Sequence, residues 1–275
     1  MARSAAGTKN KRTQAARADR YTLYERSVQC PEAELDFVDQ TFRDLRGRRA
    51  LSLREDFCGT AQVACAWVQR RPVNWAIGVD LDPEPLTWGR ARHLDPLPPS
   101  QKQRATLIQA DVLRVRTPPM DVITAMNFSY WIIRERARLR AYFSRVYQTL
   151  VPDGVLFLDA YGGYDAFRVL RERTPYRGYT YVWHQAEYNP ITGIGTCHID
   201  FVFADGSALR RAFSYTWRLW TLPEIRELLG EAGFCRVTVY WEGTDEKTGD
   251  GNGEFTATET GSPDAGWIAY LVAEK

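Results

Sequence analysis

The sequence predicts an α/β protein: a Rossmann-like parallel sheet with helices on both faces and a three-stranded antiparallel insert after the fifth strand. Three observations predict it. An apolar run, Ala50-Leu51-Ser52-Leu53, leads into Glu55-Asp56 and a small-residue turn, Cys58-Gly59-Thr60-Ala61. A second run, Trp75-Ala76-Ile77-Gly78-Val79, ends in Asp80, 25 residues past Glu55. Apolar runs and helical patterns then alternate to about residue 160, as parallel strands joined by crossover helices require. From Thr180 to Trp220 the chain instead shows three runs rich in β-branched and aromatic residues.

The elements follow in order. Residues 1–20 carry Arg3, Lys9, Lys11, Arg12, Arg17 and Arg20 against Asp19 alone, a charge of +5, so the other 255 residues sum to −3. Ser, Thr, Gln and Ala fill the gaps, which predicts a disordered basic tail with a capacity for phosphates. Residues 21–275 read as one domain. Pro31 to Arg46 is predicted helical, with Leu35, Val38, Phe42 and Leu45 at helical spacing and Gly47 as its stop. Arg134 to Thr149 is a predicted crossover helix. Residues 175–220 form the insert, broken by Asn189-Pro190-Ile191-Thr192-Gly193 and by Ala204-Asp205-Gly206-Ser207, both turn sequences. Thr221-Leu222-Pro223-Glu224 opens a helix with a cap residue and an early proline, and Gly233 ends it. Phe234 to Trp241 and Gly266 to Ala273 are the last two strands, and 243–262 between them is a long polar loop.

Bulk properties bound the function. A chain of 275 residues, 44% hydrophobic and 25% charged, has the composition of a soluble globular protein with a sizeable core. No apolar run approaches the roughly 18 residues of a membrane span, and no signal peptide is visible. The five cysteines are scattered, without zinc spacing, so reduced thiols, a cytoplasmic location and no metal are expected.

The turn after the first strand lets a ligand approach the backbone, and the acid ending the second can accept from both hydroxyls of a ribose. G-x-G-x-x-G is absent, so no diphosphate cradle is formed. A ligand with a ribose and an adenine but no phosphate fits this pattern.

The stretch Glu55 to Ala61 resembles motif I of the class I S-adenosylmethionine-dependent methyltransferases, with Phe57 and Ala61 in place of the first and third glycines. Val79-Asp80-Leu81-Asp82-Pro83 resembles motif II, Thr106 to Val112 motif III, and Asp121 to Tyr130 motif IV. Leu150 to Asp159 resembles the turn and strand that follow. The resemblance implies S-adenosyl-L-methionine as cofactor. It implies that Glu55 holds the methionine ammonium, that Gly59 lets the backbone pass close, and that Asp80 takes the ribose. It further implies that Asp111 accepts from the adenine amino group while Val112 offers an amide. Phe57, Thr60, Leu81, Asn127 and Phe128 complete the implied cofactor set. Methyl transfer from a sulfonium is an in-line displacement that needs alignment and dryness more than acid–base machinery.

Four residues are candidates on the acceptor side. Tyr24, in Tyr21-Thr22-Leu23-Tyr24, lies where small-molecule methyltransferases resembling this chain have an N-terminal lid, and its ring suits a sulfonium. Tyr130 closes Asn127-Phe128-Ser129-Tyr130, which is similar to the Asn-Pro-Pro-Tyr of amino-group methyltransferases but lacks both prolines. His184 and Arg218 lie on insert strands expected to roof the site. Arg218, between Trp217 and Leu219-Trp220, is expected to anchor an acceptor carboxylate, with stacking on its aromatic neighbours as the alternative. The leading expectation is methyl transfer to a small-molecule acceptor. An RNA or protein methyltransferase using the basic tail is the alternative, and a non-catalytic cofactor-binding protein is the second. No membrane association is expected, and the sequence carries no sign of an oligomeric state.

Overall fold

The computed structural model describes residues 12–249 and 251–275. Helices α1 (Gln14–Arg17) and α2 (Arg20–Val28) come first, each opened by a side-chain cap, Thr13 and Asp19. The expected tail over 1–20 needs correction from residue 12 onward; its first eleven residues lie outside the described residues. The Gln14 amide donates to Asp205 at 2.8 Å and the Ala15 amide to the Ser207 hydroxyl at 3.0 Å. The polar residues that suggested disorder thus cap a helix and find partners on a distant turn.

α3 (Pro31–Arg46) starts with its proline and stops at Gly47, whose φ of 65° only glycine adopts readily. β1 (Ser52–Asp56), α4 (Gln62–Arg70), β2 (Trp75–Asp80), α5 (Pro83–Gly89), α6 (Pro99–Lys102), β3 (Ala105–Gln109), β4 (Met120–Ala125), α7 (Arg136–Thr149) and β5 (Leu150–Gly162) form the alternating half. Strands β1 to β5 pair in parallel in the order β3-β2-β1-β4-β5. Because strand residues alternate, the sheet builds a core on each face. Ile77, Val79 and Ile123 meet Leu139 and Phe143 of α7 on one side, and Ala76 and Val122 meet Val38 of α3 and Trp67 of α4 on the other.

The chain then leaves the sheet. β6 (Leu170–Tyr176), β7 (Tyr179–Asn189), β8 (Ile194–Phe203) and β9 (Ala208–Arg218) form a separate antiparallel sheet in sequence order. The insert therefore has four strands rather than three and starts before residue 175. β6 is exposed along most of its length, so its sequence, Leu-Arg-Glu-Arg-Thr-Pro-Tyr, lacks the apolar alternation that marks a half-buried strand. After α8 (Leu222–Ala232), the strands β10 (Arg236–Thr244), β11 (Gly251–Ala257) and β12 (Trp267–Glu274) complete an eight-stranded sheet. β12 runs antiparallel between β5 and β10. β11, an exposed edge strand, lies inside the segment expected to be a loop. No helix among the described residues is long and apolar enough to cross a membrane.

Candidate active site

Strand order reverses direction between β1 and β4, and in open α/β sheets the crevice beyond the strand ends at that point receives ligands. A cavity of about 580 Å³ lies there, walled by the ends of β1, β2 and β4 and by α2. Its floor is the loop after β1. Phe57, Gly59 and Ala61 all have φ between 53° and 56°, so the chain doubles back tightly, tied by the Cys58 amide to the Val79 carbonyl at 3.0 Å. A Cβ on Gly59 would meet nothing within 4 Å, so that backbone is open to a ligand. Gly89 has the opposite reason: a Cβ there would fall 2.0 Å from the Thr60 carbonyl oxygen, so α5 packs directly on the loop.

Three carboxylates that are not exposed to solvent face this cavity with no ion pair among the described residues. Asp80 accepts from the Gly59 amide at 2.7 Å and the Asp82 amide at 2.9 Å. Burial still raises its carboxyl above the usual range. Glu55 accepts from the Ala64 amide at 2.8 Å, and burial together with the charge of Glu34 lifts it well above the usual range. Glu34, on the inner side of α3, makes no hydrogen bond or ion pair through its side chain among the described residues, and burial pushes it up to about 8. A fourth acid in the wall, Asp56, is already neutralised by Arg54 at 2.8 Å and by the Tyr142 hydroxyl at 2.9 Å. The cavity is therefore short of positive charge at the Glu34–Glu55 end. A ligand bringing an ammonium there and hydroxyls to Asp80 satisfies groups the protein leaves unsatisfied, so the donor set fits S-adenosyl-L-methionine.

A second cavity, of about 780 Å³, shares Tyr24, Asn127, Tyr215 and Trp217 with the first. It runs beneath the antiparallel sheet toward the β10–β11 hairpin. The partition between the two is held by Asp159 of β5, whose carboxylate accepts from the amides of Asn127 (2.7 Å) and Phe128 (2.8 Å). Both residues have left-handed backbones, with φ of 58° and 56°. That conformation is uncommon outside glycine, and the two charge-assisted bonds stabilise it. Burial nevertheless raises Asp159 to about 7.

The expected residues divide accordingly. Glu55, Phe57, Gly59, Thr60, Asp80 and Asn127 line the first cavity, Phe128 lines the second, and Tyr24 lines both. Burial pushes the Tyr24 hydroxyl up to about 12. Thr60 donates to Glu25 of α2 at 2.6 Å, and the same carboxylate oxygen meets His93 Nε2 at 2.6 Å, which ties the lid helix to the floor.

Other expectations require correction. Tyr130 is fully buried, with its hydroxyl donated to the Asp159 carbonyl, because the chain turns inward at Ser129–Ile132; it supports the partition from behind. Asp111 is outside the cavity wall and instead accepts from the Leu113 amide at 2.9 Å, closing the turn after β3. Val112 packs into the core and Leu81 is exposed. His184 and Arg218 lie on the far face of the insert. His184 contacts Arg171 and the ring of His198. Arg218 pairs with Glu224 at 3.1 Å and lies 3.8 Å over the Trp220 ring, the stacking alternative. The reason is strand alternation: Trp183 and Trp217 face the cavity, so His184 and Arg218 beside them turn away. Glu34 and Asp159 were missed. Glu34 shares a helix face with Val38 and Phe42, and an acid on an apolar stripe is a signal visible in sequence.

No family model matches this sequence, and no curated protein matches it. Solved structures do. A S-adenosylmethionine-dependent methyltransferase from Clostridium acetobutylicum superimposes with a TM-score of 0.68 at 15% identity, covering 92% of this chain and 96% of that one. CalS10, an amino pentose methyltransferase from Micromonospora echinaspora solved with S-adenosylmethionine, gives 0.65 at 19% identity over 92% and 95%. The sugar N-methyltransferase KedS8 from Streptoalloteichus gives 0.61 at 19% over 100% and 98%. With its parallel core, antiparallel β12 between β5 and β10, and crevice at the β1–β4 switch point, this chain has the fold of the S-adenosylmethionine-dependent methyltransferases.

Proposed function

We propose that the protein is an enzyme that transfers the methyl group of S-adenosyl-L-methionine to a small-molecule acceptor by direct in-line displacement. The observation that carries this reading is the pair of joined cavities, one matched to the cofactor by its unpaired acids and one enclosed by aromatic side chains. The bound cofactor would supply an electrophilic methyl group on a sulfonium. Asp80 would hold the ribose hydroxyls, Glu34 and Glu55 the ammonium, and the open backbone at Gly59 would let the ligand lie close. Tyr24, Tyr215 and the partition at Asn127–Phe128 would orient the acceptor and exclude water, which is where alignment lowers the barrier. Similar folds described as acting on an amino pentose and a sugar support an acceptor of that size.

Calorimetric titration with S-adenosylhomocysteine tests the cofactor half. Asp80→Ala is expected to weaken binding by about 1.5–3 kcal/mol for each charge-assisted bond lost. An affinity unchanged by that substitution removes Asp80 from the site, and no binding by the unaltered protein overturns the whole reading.

A further inference from the structure

We infer that the second cavity is built for an acceptor that arrives as a cation: a small amine that also carries a hydroxyl or ether oxygen. This deepens the reading above and rests on it. The antiparallel sheet sorts its side chains by charge. On β6, Glu172 lines the cavity while Arg171 turns to the opposite face beside His184. On β7, Tyr181, Trp183 and Gln185 face inward, and His184 meets His198 of β8 on the opposite face. The other wall adds Asp165, Glu242 and Asp264. No lysine or arginine lines this cavity among the described residues.

Of the four acids, Asp165 is held by Arg168 at 2.7 Å. Glu172, Glu242 and Asp264 are in no ion pair among the described residues. Glu242 is the most informative. It is partly buried, accepts among the described residues only from the Gly253 amide at 3.1 Å, and burial raises its carboxyl above the usual range. A carboxylate in that position gains from a cation. Aromatic rings line the same cavity, with Trp183, Trp217, Trp241 and Trp267 among them, and attract cations through their faces. Independently of the acids, Trp217 is 4% exposed and its indole N–H has no partner among the described residues. Trp217 itself lines the wall shared by both cavities, so the missing partner is assigned to an acceptor oxygen on the ligand.

The chemistry then balances. The bound ammonium loses one proton to solvent at the open mouth, and its lone pair forms the new N–C bond. The S–C bond breaks with its electron pair staying on sulfur, and the positive charge moves from sulfur to the methylated nitrogen. The acidic cavity accommodates that charge before and after the step.

Three probes with one skeleton separate the possibilities: phenylethanolamine (cation), phenylethylene glycol (neutral) and mandelate (anion). Binding is read as tryptophan fluorescence quenching, with and without S-adenosylhomocysteine. The amine is expected to bind at least about fivefold more tightly than the glycol, and mandelate most weakly. Glu242→Gln keeps the bond to Gly253 and is expected to bring amine and glycol within about twofold, with S-adenosylhomocysteine affinity unchanged. Trp217→Phe is expected to weaken amine and glycol alike. Equal affinities for amine and glycol, tighter binding of mandelate, or no binding of any probe up to about 10 mM overturns the inference. So does an unchanged amine preference in Glu242→Gln. Amine preference without S-adenosylhomocysteine binding overturns the methyl-transfer reading alone, and the reverse result overturns this inference alone.

Discussion

On the proposed binding mode, the uncompensated acids at Glu34 and Glu55 make cofactor binding a proton-linked event. With the cavity empty, burial holds Glu34 near 8, so a proton occupies it at neutral pH, and burial raises Glu55 in the same direction. An ammonium favours the ionised carboxylate and expels a proton. The sign follows: affinity for S-adenosylhomocysteine should rise as pH increases from 6 to 8, by up to about tenfold per unit for one linked proton, and then level off. Calorimetry in buffers of different ionisation heat reads that release directly. Glu34→Gln should flatten the pH profile and lower affinity at pH 8; a profile that stays steep shows the linked proton lies elsewhere. Of the residues involved, Glu55 and Asp80 were legible because they end apolar strands at a fixed separation. Glu34 was not, because its only mark was a wrong polarity on one helix face.

Helix α2 acts as the cover of the first cavity, and its attachment is local. Glu25 bridges Thr60 on the floor and His93 beyond it, while Trp88 donates to Asp19 at the helix cap at 2.9 Å. Glu25→Ala removes both contacts without opening a void in either main core. It should speed S-adenosylhomocysteine release several-fold in stopped-flow measurements while changing stability by no more than about 1–2 kcal/mol. An unchanged release rate means α2 does not gate the cavity. At this scale the sequence reading was uneven. The insert was recognised from its aromatic runs and Asp-Gly turn, yet β6 escaped because an exposed strand has no inward face to enforce alternation. Arg218 was placed on the wrong side because an arginine among aromatic residues was expected to reach into the cavity as an anion anchor. The free energies run the other way, since burying an unpaired guanidinium costs far more than burying tryptophan.

Across the whole molecule, the antiparallel sheet is not a detachable lobe. Trp217 of β9 and Trp220 pack in the same apolar cluster as Ile123, Tyr142 and Leu228, so the insert and the main sheet share a core. Unfolding in urea should accordingly give one transition, with tryptophan fluorescence and far-ultraviolet circular dichroism coinciding. Two separated transitions would establish an independent insert. The switch point between β1 and β4 and the overhanging sheet together determine where the cavities meet, which no single element decides.

By itself, the sequence determined the parallel sheet, its crossover helices, the acid at the end of β2 and the strained glycine turn, because those depend on local periodicity and on backbone angles that few residues adopt. It also indicated an aromatic insert. Only the tertiary structure decided which face of that insert meets the cavity, that Tyr130 is a buried support, and that Asp159 holds the Asn127–Phe128 partition from 31 residues away. Those outcomes turn on desolvation. Whether a polar side chain lines a site or stacks outside it depends on what lies opposite, and that neighbour comes from another part of the chain.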